Sequence, residues 1–218
     1  MPNEIVFDIE TQNTFADVDN DFKKFKISCV SIYQYATDTY TSFKENELSK
    51  LWPILEKADR IIGYNSEHFD LPILHNYYLG DLSVINHLDI MKKVNESVGI
   101  RLKLNSIAMA TLDMEKSADG LQAIRWWKEG KIDEIIKYCE QDVKVTKEIY
   151  EFGKTNKQLF YQNLVGEIVP FAVNFDLEVA DKGASANKKN INLLTVLTVI
   201  PSEAVADEGS SPIKKIFF

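Results

Sequence analysis

The sequence predicts an α/β protein: a mixed β-sheet, an antiparallel hairpin plus parallel strands, flanked by helices. Three observations carry this. The first third of the chain holds three segments rich in β-branched and aromatic residues. The middle alternates short strands with helical stretches, and the pattern ends on a long amphipathic helix over residues 131–152.

Taken in order, residues 3–9 (Asn-Glu-Ile-Val-Phe-Asp-Ile) are largely apolar and read as a strand central in its sheet. Residues 13–24 are polar and read as a loop. Residues 26–35 and 38–44, separated by Ala36-Thr37, read as a hairpin. A helix follows over 47–58, with Leu48, Leu51, Trp52 and Leu55 on one face; Pro53 requires it to begin near Ser49 or to bend. Residues 60–64 form a short strand leading into the segment that ends at Asp70. A helix then runs to about Leu79 and is ended by Gly80, and residues 84–90 form another short strand. Helices are expected near 104–112, 120–129 and 131–152. The last carries Ile132, Ile135, Ile136, Cys139, Val143 and Tyr150 at helical spacing. Weaker strand signals follow Phe160, including residues 167–175. No internal repeat is evident.

A chain of 218 residues supports one well-buried core, and 45% apolar with 27% charged residues is ordinary for a globular protein. Composition shifts at about Asp181, so the expected organisation is one domain over 1–180 and an irregular tail over 181–218. The tail carries five basic and four acidic residues; 1–180 carries 20 basic and 29 acidic. A signal peptide is not expected, since no basic segment precedes an apolar one at the N-terminus. The longest apolar-rich run, 191–200, contains Asn192, Thr195 and Thr198 and is too short to span a bilayer. Cys29 and Cys139 have neither metal-ligand spacing nor a disulfide framework, so a reduced, cytoplasmic setting is the expectation. The net charge of −8 argues against a generic nucleic-acid binder. A site that gathers carboxylates around cations softens that objection. Modest affinity for long duplex is therefore expected, and strong, salt-sensitive binding without metal would contradict it.

Four carboxylates carry the chemistry. Asp8 and Glu10 are two apart on a strand, so both leave the same face. A solvent-facing alternation at a sheet edge would have the same spacing, but flanking Ile5, Val6, Phe7 and Ile9 imply burial, which is costly for paired acids unless metal or protons neutralise them. Asp70 follows a strand and a turn; alone, it is equally a helix N-terminal residue favoured by the dipole. Tyr138 and Asp142 are four apart on the long helix and project from one face at the border of its apolar stripe. A tyrosine at the core edge beside an exposed aspartate fits that spacing equally well.

Together these segments resemble the DEDD superfamily of 3′–5′ exonucleases, in the branch with tyrosine four residues before the last aspartate. Phe-Asp-Ile-Glu-Thr (7–11) is similar to that family's first exonuclease motif. Gly-Tyr-Asn-x3-Phe-Asp-Leu-Pro (63–72) is similar to the second, as in proofreading domains of family-B DNA polymerases, and Tyr-Cys-x2-Asp-Val (138–143) to the third. The resemblance covers about residues 3–155, and the stretch 104–112 fits stand-alone exonucleases of this group. It implies a ribonuclease H-like fold and two divalent cations, Mg²⁺ or Mn²⁺. Asp8, Glu10 and Asp142 would bind the metal carrying the attacking water, with Asp8 bridging; Asp70 would hold the second metal. Tyr138 would orient the nucleophile, and Asn65 and Phe69 would contact the terminal nucleotides. A chain of this length leaves no room for a polymerase domain, so proofreading in cis is not expected of it.

Other residues read as structural. His68 and His75 lack a second ligand set and fit surface or helix-face packing. Asp89 resembles a recurrent position of the group, and a structural hydrogen bond explains it as well. Trp127 shares an apolar helix face with Leu121 and Ile124 and is expected in the core; Trp126 is open, with stacking on single-stranded bases as the alternative. The expected function is a 3′–5′ exonuclease acting on single-stranded nucleic acid with a free 3′ end, DNA rather than RNA, releasing 5′-monophosphates. An exoribonuclease is the nearest alternative. A non-catalytic nucleic-acid-binding or adaptor module that recruits a protein partner through the tail is the alternative of a different class; the apolar end of that tail, residues 213–218, fits docking on a partner and tucking onto the core equally well.

Overall fold

β1 (Glu4–Thr11) is buried on both faces: Ile5, Phe7 and Ile9 enter one core cluster and Val6 another. A strand so covered belongs in the middle of a sheet, and in the computed structural model, which describes residues 2–114 and 120–177, it occupies that place. β2 (Ile27–Gln34) and β3 (Thr39–Lys44) form the expected hairpin, antiparallel to β1 and to each other. β4 (Arg60–Gly63) and β5 (His87–Asp89) add parallel strands on the other side, giving the order β3-β2-β1-β4-β5. This is the mixed α/β sheet, an antiparallel hairpin plus parallel strands, that the sequence predicts.

The register between β1 and β2 slips beside the site. Glu10 faces Cys29 while Thr11 faces Ile27, so Ser28 is an extra residue in β2. Such a bulge bends the strand and re-aims the side chains near it.

Helical packing departs from the sequence expectation in three places. The helix expected over 47–58 is instead a 3-10 segment (Glu45–Lys50) followed by one α-turn, α1 (Trp52–Leu55). Pro53 lies in that first turn, where its missing N–H costs nothing, and the chain cannot run through it as one helix. The helix expected from Asp70 to Leu79 is only α2 (Asp70–Leu74), and Gly80 caps nothing there. Tyr77 is drawn out of helical register: its hydroxyl accepts from the Ile27 amide at 3.0 Å and donates to Glu45 at 2.7 Å. A helix not anticipated, α3 (Ile90–Val98), starts at an Asp89 cap and stops at Gly99. Its polar run, Lys-Lys-x-Asn-Glu-Ser, hides a buried face made only by Ile90 and Val94.

α4 (Leu104–Leu112), α5 (Gly120–Lys128) and α6 (Ile132–Asn156) lie close to the expected positions. α6 crosses β2 and β1 on the face opposite α1 and α2, burying Ile135, Cys139, Val143, Ile149 and Tyr150. A two-stranded antiparallel sheet, β6 (Gln158–Gln162) and β7 (Ile168–Ala172), follows it. The chain divides into two units, Met1–Asp176 and Leu177–Phe218, and all these elements belong to the first. The tail expected over 181–218, with its apolar end, lies outside the described residues. Among the described residues, no helix is long and apolar enough to cross a membrane.

Candidate active site

Alternation on β1 sends Glu4, Val6, Asp8 and Glu10 to the face that α6 covers. At the C-terminal end of β1, Asp8 and Glu10 meet Asp142 of α6: each offers a carboxylate oxygen, and these oxygens lie within 4.8 Å of one another. Asp70 joins them from the other side. β4 pairs with β1 only over Glu4–Val6, which leaves later amides of β1 open on that edge. The carboxylate of Asp70 accepts from the Ile9 amide and from its own. The sequence-predicted acids therefore line one cavity of about 320 Å³, together with Tyr138, Asn65 and Phe69. Among the described residues lining it, none is basic.

The segment carrying Asp70 is pinned by backbone hydrogen bonds. Asn65 adopts φ +63°, a left-handed conformation that asparagine tolerates better than most residues. Asp89 holds this turn: Oδ1 accepts from the amides of Asn65 (2.9 Å) and Lys92 (3.3 Å), and Oδ2 from that of Glu67 (2.9 Å). The structural reading of Asp89 is the one its contacts support. Gly63, just before, is needed for close approach: a Cβ there would stand 2.3 Å from the Ser66 hydroxyl. Ser66 in turn hydrogen-bonds His87 at 2.9 Å.

Electrostatically the cavity is a cluster of acids under strain. Burial raises the pKa of Asp8 well above its ordinary value, and the charges of Asp70, Asp142 and Glu10 add to this. Burial does the same to Glu10, with Asp142 next in weight. Asp70 is pushed up to about 8 by burial, and Asp142 to about 6 by burial against the opposing hydrogen bond from Tyr138. The Tyr138 hydroxyl, itself raised by burial and by Asp142, stays protonated and donates to that carboxylate. Asp142 Oδ1 is buried without a hydrogen-bond partner. An orphaned carboxylate oxygen among repelling carboxylates is satisfied by a cation. The donors are all oxygen, so the set fits a hard divalent metal.

Two thiols lie directly behind the acids. The Cys139 sulfur is 3.4 Å from the carbonyl oxygen of Asp8 and 3.5 Å from its Oδ2, and burial beside Cys29 keeps this thiol protonated. Both cysteines are buried and free.

One wall of the cavity is aromatic, which the sequence reading missed. Phe15 and Phe25 pack on Phe69 at ring-centroid distances of 5.6 and 5.5 Å, and Phe22 stands behind at 6.3 Å. Phe15 remains 41% exposed at the rim. The phenylalanines at 15 and 22, inside a segment read only as polar, and Phe25 just after it were the available signal. The opposite wall is α5. Here the expectation of a core face fails in part: Leu121 is exposed and lines the cavity with Ile124, while Trp126 and Trp127 pack on Cys29, Ala123, Ile135 and Cys139. The ring of Trp126 meets that of Tyr138 edge-on at 6.2 Å. His68 and His75 are exposed, and neither lines the cavity.

A family model described as the RNase_H superfamily matches residues 5–152. No curated protein matches the chain. Among solved structures, the family B DNA polymerase from the hyperthermophilic archaeon Pyrobaculum calidifontis is similar, with 15% identity and a TM-score of 0.55. That likeness covers 70% of this chain and 24% of the polymerase, and at such identity it concerns the fold.

Proposed function

Since the chain belongs to the RNase_H superfamily, we propose that the acidic cavity is the active site of a metal-dependent 3′–5′ exonuclease acting on single-stranded DNA ends. One observation carries the reading: Asp8, Glu10 and Asp142 offer oxygens within 4.8 Å of one another in a cavity that also holds Asp70 and, among its described lining residues, no basic group. A purely structural cluster of this kind would be destabilising, and a binding module has no use for it.

In this reading Asp8, Glu10 and Asp142 would hold one divalent cation and Asp70, with Asp8, would hold a second. Two such ions, Mg²⁺ or Mn²⁺, would supply water activation and charge stabilisation at the phosphodiester when bound. The protein does the positioning. Tyr138, fixed by its bond to Asp142, presents its hydroxyl to the attacking water. Phe69, braced by Phe15 and Phe25, packs against a terminal base or sugar, and Asn65 contacts the terminal nucleotide. The aromatic wall keeps bulk water from the reacting phosphate. The products are nucleoside 5′-monophosphates. The domain spans 1–180, the setting is cytoplasmic, and the tail 181–218 is the segment available to a protein partner.

The test is hydrolysis of a 5′-labelled deoxyoligonucleotide and its RNA counterpart with Mg²⁺, Mn²⁺ or chelator. A ladder shortening from the 3′ end with metal, and none with chelator, is expected. Full activity in Asp8→Ala or Asp142→Ala protein would overturn the assignment.

A further inference from the structure

A strand with one negative charge per nucleotide must enter a cavity whose described lining includes four acids and no cation. Cations held by those acids would offset their charge, but a fixed positive contact for the rest of the strand has to come from beside the cavity. A second cavity of about 280 Å³ adjoins the first at Asn65 and contains Arg101, Lys92 and His68. Of these, Lys92 is already committed to Glu67, meeting its two carboxylate oxygens at 2.9 and 2.7 Å. The Asp89 carboxylate is taken up by three backbone amides. Arg101 is different. Its guanidinium donates to Oδ1 of Asn65, and it makes no ion pair among the described residues.

That arrangement has a consequence. An arginine tethered by a carboxylate has its charge cancelled, whereas one tethered by a neutral amide keeps its charge and loses only its freedom. Asn65 is itself held in its left-handed turn by Asp89, so the tether is rigid. A guanidinium has five N–H donors in a planar fork, and those not given to Asn65 suit the two free oxygens of a phosphodiester.

We propose that Arg101 is a substrate-binding residue that grips a non-scissile backbone phosphate of the strand entering at Asn65. The proposal rests on the nuclease reading above and adds to it where the strand runs: across Asn65. It gives an acidic protein a fixed positive contact without placing a cation among the metal ligands. The contact also selects for length, since a substrate with only the scissile phosphate cannot reach it.

The experiment compares full-length wild-type protein with Arg101→Gln and Arg101→Lys. Binding of a short 5′-fluorescent deoxyoligonucleotide is followed by anisotropy in Ca²⁺ across a salt series. Hydrolysis of the p-nitrophenyl ester of thymidine 5′-monophosphate, which has the scissile phosphodiester alone, is measured in Mn²⁺. Arg101→Gln is expected to weaken oligonucleotide binding about tenfold and to lower the salt slope by roughly 0.7, the single-strand value for one phosphate contact. Ester hydrolysis should stay within about twofold of wild type. Arg101→Lys should keep the salt slope and recover part of the affinity, since it keeps the charge and loses the fork. Unchanged oligonucleotide binding in Arg101→Gln overturns the proposal, as does an equal loss on the ester, which would mark Arg101 as a prop for Asn65. Wild-type protein that binds the oligonucleotide but hydrolyses neither substrate would instead sink the nuclease reading and leave the binding comparison intact.

Discussion

Glu4 and Asp8 leave the same strand on the same face, one on each side of Val6, and both are covered by the same helix. Their surroundings are opposite. Glu4, 4% exposed, has its charge answered by the protein: Arg60 at 2.5 Å, Lys154 at 3.0 Å, and the Tyr150 hydroxyl donating at 2.9 Å. Arg60 also donates to the Phe175 carbonyl at 2.8 Å, which ties the chain after β7 to the start of β4. Nearer the middle of α6 the helix brings Asp142 rather than a lysine, and Asp8 meets three further carboxylates. The chain thus knows how to neutralise a buried acid and does so within one strand. Where it does not, the missing positive charge is left for a ligand to supply.

This contrast can be broken most forcefully at the acidic end. Asp8→Asn or Asp142→Asn should lower metal-dependent hydrolysis by about 10³-fold, roughly 4 kcal/mol of transition-state stabilisation, measured as kcat/KM on an oligonucleotide. The same variants should melt no lower than wild type in chelator, because each removes a repelling charge. At the neutralised end the pattern reverses. Arg60→Ala leaves Glu4 buried and under-compensated and should cost about 3–5 kcal/mol in denaturant unfolding, while activity per folded molecule is kept. A loss of activity without a loss of stability there would dissolve the comparison.

Tyr138→Phe tests the positioning role. It should reduce kcat by about 10–100-fold with little change in oligonucleotide affinity, since a misplaced nucleophile slows chemistry without weakening binding.

The pH dependence sharpens the contrast further. Carboxyls whose folded pKa is raised hold more protons folded than unfolded, so their contribution falls as pH rises between the two values. With Asp142 near 6 and Asp70 near 8 in the metal-free protein, the melting temperature in chelator should decline from about pH 4 to pH 8. Saturating Mn²⁺ should raise it more at pH 8 than at pH 6, because metal and protons compete for the same oxygens. A metal-induced shift that did not vary with pH would contradict the site. The smallest effect is expected at Lys154→Ala: its side chain is 41% exposed, so losing its bond to Glu4 should cost under about 1 kcal/mol.

Much of the fold could be read where a repeat is short and local. The two-residue period of β1 placed Asp8 and Glu10 on one face, and the four-residue step of α6 did the same for Tyr138 and Asp142. Pro53 announced the break between the 3-10 segment and α1, although not its extent. What escaped were features with weak local patterns. α3 buries only Ile90 and Val94, so its period is nearly silent; Asp89 and Gly99 were the signals for its ends. α2 stops early because the Tyr77 hydroxyl is claimed by Ile27 and Glu45, both distant in sequence. Leu121 looks like core on a helical wheel, yet its face borders a cavity.

The sequence by itself determined which residue types stand on which face of which element, because backbone geometry alone sets those periods. It also determined that acids outnumber bases around the strands. Only the tertiary structure decided which acids would meet each other and which would meet a cation. That choice depends on how α6 lies across β1, with Lys154 near its C-terminus meeting Glu4 and Asp142 near its middle meeting Asp8, and on β4 ending early enough to leave the Ile9 amide for Asp70. Charge interactions act over a few ångströms of space, and spacing along the chain does not report them.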